Sequence, residues 1–110
     1  MVWLGANEQA ALDDFARLVR ERYGARLRDL KLFGSRARGE GDEDSDLDVL
    51  VTVEGLTNAE GHALAQDAGD FLTRYDVVLS PFAVSTAHFD ELRRRELLIA
   101  EEIDRDGVPL

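Results

Sequence analysis

Hydrophobic residues recur at a spacing of three to four in three parts of the chain, and shorter hydrophobic stretches lie between them. The three-to-four spacing predicts amphipathic helices. The first helix is expected to be capped by Asn7 and to end at Gly24, and the second opens at Asn58. A last helical stretch, of one or two helices, is expected to begin at Ser85 and to end at Gly107. The second helix is expected to bury one stripe of residues, namely Leu64, Ala68, Phe71, Leu72 and Tyr75.

The stretches between the helices predict three strands, at residues 27–33, 46–53 and 76–84. The first alternates between hydrophobic and polar residues, and the second is rich in valine. Pro81 lacks an amide hydrogen, so the third strand is expected to end or bulge there, or to lie at an edge. The order of elements predicts an α+β fold in which a small mixed sheet of about three strands has helices packed on one side. Neither a repeat nor a linker interrupts the pattern, so residues 1–110 are expected to form a single domain.

The composition narrows the classes of function. The chain has 110 residues, no cysteine and a formal net charge of −10. Because nucleic-acid affinity depends on lysine and arginine, we expect no direct contact with nucleic acid. A metal could be held only by oxygen or histidine ligands. No hydrophobic run is long enough to cross a bilayer, so we expect no membrane association and a soluble, cytoplasmic protein. The small size favours work with a partner, in a homo- or hetero-oligomer.

Four residues, two after the first predicted strand and two at the start of the second, suggest that the chain binds phosphate and a metal ion. Asp46 and Asp48 are two positions apart on a strand, so their side chains point the same way, roughly 6 to 7 Å apart. Two such carboxylates can share a divalent cation, and without one they repel each other. Gly34 permits a sharp turn after the first strand, and Ser35 supplies a hydroxyl beside amides that can face phosphate oxygens. Magnesium takes several of its ligands from a bound nucleotide, so the two features predict a common ligand.

The residues between these two features are strongly charged. Arg36 and Arg38 could neutralise a triphosphate, or they could pair with the acidic residues that follow and fix the shape of the loop. The sequence leaves both possibilities open. Asp42, Glu43 and Asp44 are interpreted as a solvated turn and are assigned no metal.

Two motifs carry a family resemblance. Residues 32–40 (LFGSRARGE) and 45–51 (SDLDVLV) resemble the minimal nucleotidyltransferases (MNT) of the DNA polymerase beta-like superfamily. The predicted order of elements extends the likeness over nearly the whole chain. The resemblance implies the polymerase beta-like nucleotidyltransferase fold.

The same resemblance implies roles for individual residues. It implies that Gly34 and Ser35 bind the nucleotide triphosphate, and that Asp46 and Asp48 are ligands to two Mg²⁺ ions. The family also has a third carboxylate on the following strand, and Asp76 occupies the matching place. The implied catalytic and metal-binding set is therefore Asp46, Asp48 and Asp76.

The implied reaction is a Mg²⁺-dependent transfer of a nucleoside monophosphate, AMP from ATP, to a hydroxyl group, with release of pyrophosphate. The resemblance to MNT proteins further implies an antitoxin that modifies a tyrosine of a separately encoded HEPN-family toxin. Two alternatives stay open from the residues alone. The chain could be a catalytically idle binding module that neutralises its partner by occlusion, or a small-molecule nucleotidyltransferase.

Overall fold

A computed structural model describes residues 3–42 and 45–110 of the chain. Within these ranges the chain forms four α-helices and four strands, with a short 3-10 turn at Gly24–Arg26. In chain order they are α1 (Ala6–Tyr23), β1 (Leu27–Phe33), β2 (Leu47–Val53), α2 (Asn58–Tyr75), β3 (Leu79–Ser85), α3 (Thr86–Arg94), α4 (Leu98–Asp106) and β4 (Val108–Pro109).

The strands form one mixed sheet in the order β3-β2-β1-β4. Strand β1 is antiparallel to both β2 and β4, and β2 is parallel to β3. The predicted α+β class and small mixed sheet are therefore confirmed. Strand β4 is not predicted from the sequence, because a strand of two residues is too short to produce a hydrophobic pattern. Pro81 lies in β3, and β3 is an edge strand as one of the predicted alternatives required.

Helices α1 and α2 cover the first face of the sheet. Their apolar stripes meet the odd-numbered residues of β2 from Leu47 to Val53 in the main core. Phe15 of α1 contacts Phe71 of α2 edge to face, with the ring centroids 5.7 Å apart. Such aromatic pairs bury a large apolar area and fix the relative orientation of two elements.

Helices α3 and α4 cover the second face, so the prediction that all helices pack on one side is wrong. Leu50 of β2 and Phe33 of β1 form a smaller core with Phe89, Ala100 and Ile103. The reason is visible in β2, where Leu50 lies on the opposite side from Val49 and Val51 and all three are fully buried. A strand that is apolar on both sides needs cover on both sides.

Some of the predicted helix and strand boundaries are confirmed and others are wrong. Strand β1 and the start of α2 lie where the sequence predicts them, and Ser85 caps α3 by accepting a hydrogen bond from the His88 amide. Helix α1 begins at Ala6 because Gly5, not Asn7, is its N-cap. Leu72 is 49% exposed, contrary to its prediction as a buried residue. Its neighbour Phe71 takes the inward position, and adjacent residues on a helix face different directions.

The start of β3 also differs from the prediction. Asp76 was expected to open the strand, but it ends α2 in a left-handed conformation (φ 57°, ψ 39°). Its amide donates to the Leu72 carbonyl at 3.0 Å, which closes the last helical turn. The strand begins only at Leu79. In the described parts of the chain no helix is both long and apolar enough to cross a membrane.

Candidate active site

Asp46 and Asp48 lie at the start of β2, on the face that α3 and α4 cover. Asp46 immediately precedes the strand and is exposed, and Asp48 is the second residue of the strand and is half-buried. Side chains alternate along a strand, so both carboxylates point to the side of Leu50. Burial raises the pKa of Asp48 above its ordinary value, and the negative charge of Asp46 raises it further. The structure therefore brings these two predicted residues together.

The pair has the chemistry of a cation site. Within residues 3–42 and 45–110 neither carboxylate has a hydrogen-bond or ion-pair partner. Two neighbouring negative charges without a counter-charge are unfavourable, and hard carboxylate oxygens are the ligands that Mg²⁺ prefers. The donor set thus fits a divalent cation with its remaining ligands supplied by substrate and water.

Gly34 lies directly against Asp48 of this pair. It follows the last residue of β1 and has φ 76°, a conformation that favours glycine. A β-carbon at this position would overlap Oδ2 of Asp48. Phe33 faces Asp48 across the β1–β2 ladder, so the turn after β1 and the start of β2 adjoin one another. The predicted proximity of Gly34 to the carboxylates is present.

Residues 34–42, which we call the Gly34 loop, fold into a compact turn after β1. The Glu40 amide donates to the Ser35 carbonyl at 2.9 Å, and the Ala37 amide donates to the Gly34 carbonyl at 3.2 Å. Gly41 has φ 76°, and a β-carbon there would stand 3.2 Å from Ser35 Oγ and 2.8 Å from Ser45 Oγ. The hydroxyl of Ser35 therefore lies inside a tight loop beside the residues that lead to Asp46. Glu43 and Asp44, predicted to be in a solvated turn, lie outside the described residues.

Arg36 points away from this site, toward α1. Its side chain is 2% exposed and forms a bidentate ion pair with Glu8, with one Nη2–Oε1 distance of 2.7 Å. It also donates to the carbonyls of Asp42 at 2.7 Å and Trp3 at 3.2 Å. Of the two possibilities that the sequence leaves open for Arg36, this geometry favours the second, in which an ion pair of the arginine fixes the shape of the loop. The sequence analysis considered only acidic partners within the loop and missed Glu8, a residue of the first turn of α1.

Arg38 points the other way. Its guanidinium lies 3.3 Å from Glu40 and 4.0 Å from Asp106 at the end of α4, and its side chain is 32% exposed. It is therefore the arginine of the Gly34 loop that is near solvent on the side of α4.

Asp76 is not grouped with Asp46 and Asp48. In the described parts of the chain no three His, Cys, Asp or Glu side chains are close enough together to hold a metal ion. Asp76 instead lines a neighbouring recess of about 450 Å³, together with Ser45, the first residues of α1, Leu72 and Val78. It is nevertheless at the same end of the sheet, because the Leu47 amide donates to the Val78 carbonyl at 3.0 Å.

Proteins of similar sequence or structure are known for nearly the whole of this chain. The profile of a family described as the nucleotidyltransferase domain matches residues 12–108. A provisionally named protein adenylyltransferase of Methanocaldococcus jannaschii, MJ0604, is 40% identical over 85 residues, which are 77% of this chain and 81% of that protein. The solved structure of a provisionally named minimal nucleotidyltransferase superimposes with a TM-score of 0.60 at 31% identity, and covers 93% of this chain and 91% of that one. A toxin–antitoxin complex with AMP-PNP shares the fold, with a TM-score of 0.58 at 19% identity over 88% of this chain and 70% of that one.

Proposed function

Because this chain belongs to the nucleotidyltransferase domain family, we propose that it transfers AMP from ATP to a hydroxyl group of a partner protein in a Mg²⁺-dependent reaction. The observation that carries the proposal is the contact between Gly34 and Asp48 beside Asp46. It places a turn suited to phosphate beside two carboxylates that have no hydrogen-bond or ion-pair partner among the described residues.

The nucleotide side of the reaction uses the Gly34 loop and β2. Gly34 lets the triphosphate approach the backbone, and Ser35 offers a hydroxyl to a phosphate oxygen. Asp46 and Asp48 would hold Mg²⁺, which when bound neutralises charge on the transferring phosphoryl group and on the leaving pyrophosphate. Arg38, near solvent at the edge of the loop, reaches toward the outer phosphates.

The acceptor side uses the recess that Asp76 lines. The acceptor oxygen attacks the α-phosphorus, the bond from that phosphorus to the oxygen bridging to the β-phosphate breaks, and pyrophosphate leaves. Asp76, which the family resemblance makes a third carboxylate, takes part from this recess by drawing the proton from the acceptor hydroxyl. Support for the assignment comes from the recess beside Ser45, at the same end of the sheet as the aspartate pair.

The acceptor belongs to a partner protein. The relative MJ0604 is provisionally named a protein adenylyltransferase, and a structure that shares the fold is a toxin–antitoxin complex. We therefore assign this chain the role of an antitoxin that adenylylates a toxin, at a tyrosine of a HEPN-family protein. The net charge of −10 favours a basic partner surface.

A labelling experiment tests this function. The chain is incubated with the candidate toxin, Mg²⁺ and ATP labelled either at the α-phosphate or at the γ-phosphate, and the modified residue is located by mass spectrometry. The proposal predicts that only the α-label is transferred, onto a tyrosine. Full inhibition of the toxin without any transfer would instead indicate a binding module, and label on a metabolite would indicate a small-molecule acceptor.

A further inference from the structure

We propose that the buried ion pair between Arg36 and Glu8 is a positioning device, which holds the Gly34 loop in register with Asp48 by fastening it to the start of α1. This inference rests on the proposed function, because it concerns the loop that binds the nucleotide. It gives Arg36 and Glu8 a part in the reaction without any contact between them and the nucleotide.

Among the residues that the structure describes, Arg36 contacts three parts of the chain. Its guanidinium binds Glu8 in α1, the Trp3 carbonyl ahead of α1 and the Asp42 carbonyl at the far end of the loop. Glu8 in turn accepts a hydrogen bond from the Gly5 amide at 2.9 Å, so its carboxylate also completes the N-terminus of the helix. One arginine therefore ties both ends of the loop to the most deeply packed helix of the first face.

The position of the loop matters because of what it touches. Arg36 is two residues beyond Gly34, and Gly34 is in contact with the Asp48 carboxylate. Arg36 and the buried Ala37 anchor the loop on the first face, whereas the carboxylates of Asp46 and Asp48 point to the second face. A small shift of the loop would change the distance between a bound phosphate and the carboxylates. Displacements of about 1 Å in such arrangements cost a large share of catalytic rate.

Burial makes the ion pair suitable for this task. Both side chains are nearly inaccessible, at 2% and 6% exposure. Burial raises the pKa of Glu8, but the hydrogen bonds from Arg36 and from the Gly5 amide, with the charge of Arg36, outweigh that effect and lower it overall. A planar guanidinium that binds a carboxylate through two parallel hydrogen bonds has one defined orientation.

The chain contains a matched pair at the start of α2. Glu60 accepts a hydrogen bond from the cap amide of Thr57, as Glu8 does from Gly5, and it forms a bidentate ion pair with Arg26. These side chains are 44% and 30% exposed, and they join the start of β1 to α2 beside the turn after β2. The Arg26–Glu60 pair thus has the same hydrogen-bonding pattern as the Arg36–Glu8 pair, at the opposite end of β2.

The experiment replaces each pair by methionines. Breaking a buried ion pair by removing one partner destabilises a protein, whereas apolar replacement of both partners is often tolerated. We compare Arg36→Met, the double variant Glu8→Met with Arg36→Met, and the control double variant Arg26→Met with Glu60→Met. For each we measure the melting temperature, the affinity for Mg·ATP by calorimetry, hydrogen exchange of the amides at 34–42, and KM and kcat for transfer.

We expect the double variant Glu8→Met with Arg36→Met to recover the stability that Arg36→Met loses. Its affinity for Mg·ATP is nevertheless expected to fall about tenfold, with faster exchange in the Gly34 loop and a higher KM for ATP. The control double variant is expected to keep wild-type affinity and loop exchange. A stable double variant with wild-type affinity and wild-type exchange would overturn the inference.

The test still gives an answer if the double variant does not fold or if the wild-type chain transfers no AMP. If the double variant does not fold, Glu8→Gln replaces it, since glutamine keeps the shape of the side chain and removes its charge. Weaker binding and faster loop exchange in that variant would then support the inference, and wild-type values would overturn it. If the wild-type chain transfers no AMP, the proposed function fails, while calorimetry and hydrogen exchange still judge the ion pair on their own.

Discussion

Gly34 is packed against the carboxylate of Asp48, so closely that a β-carbon at Gly34 would overlap Oδ2. The two residues are 14 positions apart in the sequence, and they meet because β1 and β2 pair with Phe33 opposite Asp48. A single contact therefore holds the turn that we propose receives phosphate beside the carboxylates that we propose hold the cation.

This contact predicts that Gly34→Ala strongly reduces transfer. The new β-carbon would push the Asp48 carboxylate and the loop apart, so transfer should fall about 100-fold. Alanine at φ 76° should also lower the free energy of unfolding by about 1 to 2 kcal/mol. Gly55→Ala is the matched control, because Gly55 has φ 66° with no atom near its missing β-carbon. It should lose similar stability in thermal denaturation and keep wild-type activity; a parallel loss of activity would argue against the contact.

The raised pKa of Asp48 predicts that Asp48→Asn stabilises the chain while inactivating it. Between the ordinary aspartate value of 3.8 and the higher folded value, the folded chain holds more protons than the unfolded chain. The free energy of unfolding therefore falls as the pH rises through this window, and the penalty is fully present above the folded pKa of Asp48. Asparagine removes that penalty, and because solvent screens part of the charge at this half-buried position, we expect a gain of less than about 1 kcal/mol.

Urea denaturation as a function of pH measures this effect. The gain from Asp48→Asn should shrink as the pH falls through the folded pKa of Asp48, and it should vanish well below 3.8, where the carboxyl is protonated in both the folded and the unfolded states. Asp70→Asn, at an exposed position of α2, is the control and should change stability little. An equal gain for both variants, or a gain independent of pH, would contradict the electrostatic account.

The elements that the sequence predicted well are those whose signals are local. Residues 27–33 alternate clearly enough to give β1 with its observed bounds, and Asn58 marked the first residue of α2. The spacing of Asp46 and Asp48, with Gly34 and Ser35 before them, also identified the core of the candidate site. Each of these signals is contained within 15 consecutive residues.

The features that the sequence could not predict depend on contacts distant in the chain. The ion pair of Arg36 joins residues 28 positions apart, and nothing near Arg36 distinguishes Glu8 from the acidic residues of the loop. The packing of the second face depends on contacts that α3 and α4, at the end of the chain, make with β1 and β2. Asp76 was assigned to a strand by its neighbours Val77 and Val78, but the preceding helix extends to Tyr75 and uses Asp76 to terminate.

Asp76 supplies a test of the acceptor side. Asparagine tolerates the left-handed conformation as aspartate does, so Asp76→Asn should leave the melting temperature unchanged. If the carboxylate draws the proton from the acceptor, kcat should fall about 100-fold with little change in the KM for ATP. Steady-state kinetics separates the two parameters. Wild-type kcat in this variant would show that Asp76 only ends α2.

Arg38 supplies a test of the phosphate side. Loss of a charge-assisted contact to the outer phosphates in Arg38→Ala should raise the KM for ATP about tenfold. Arg105→Ala is the control, because Arg105 also pairs with Asp106 but its side chain is 67% exposed. Initial rates at varied ATP concentration should show no change for the control. If both variants behave alike, the effect belongs to the environment of Asp106 and not to the nucleotide.

The central claim is that Asp46 and Asp48 bind a divalent cation together with the nucleotide that the Gly34 loop receives. Calorimetric titration with Mg·ATP of the wild type, Asp46→Asn and Asp48→Asn tests it most directly. We predict that the wild type binds and that each substitution weakens binding by about tenfold or more. Equal affinity in all three proteins would contradict the account.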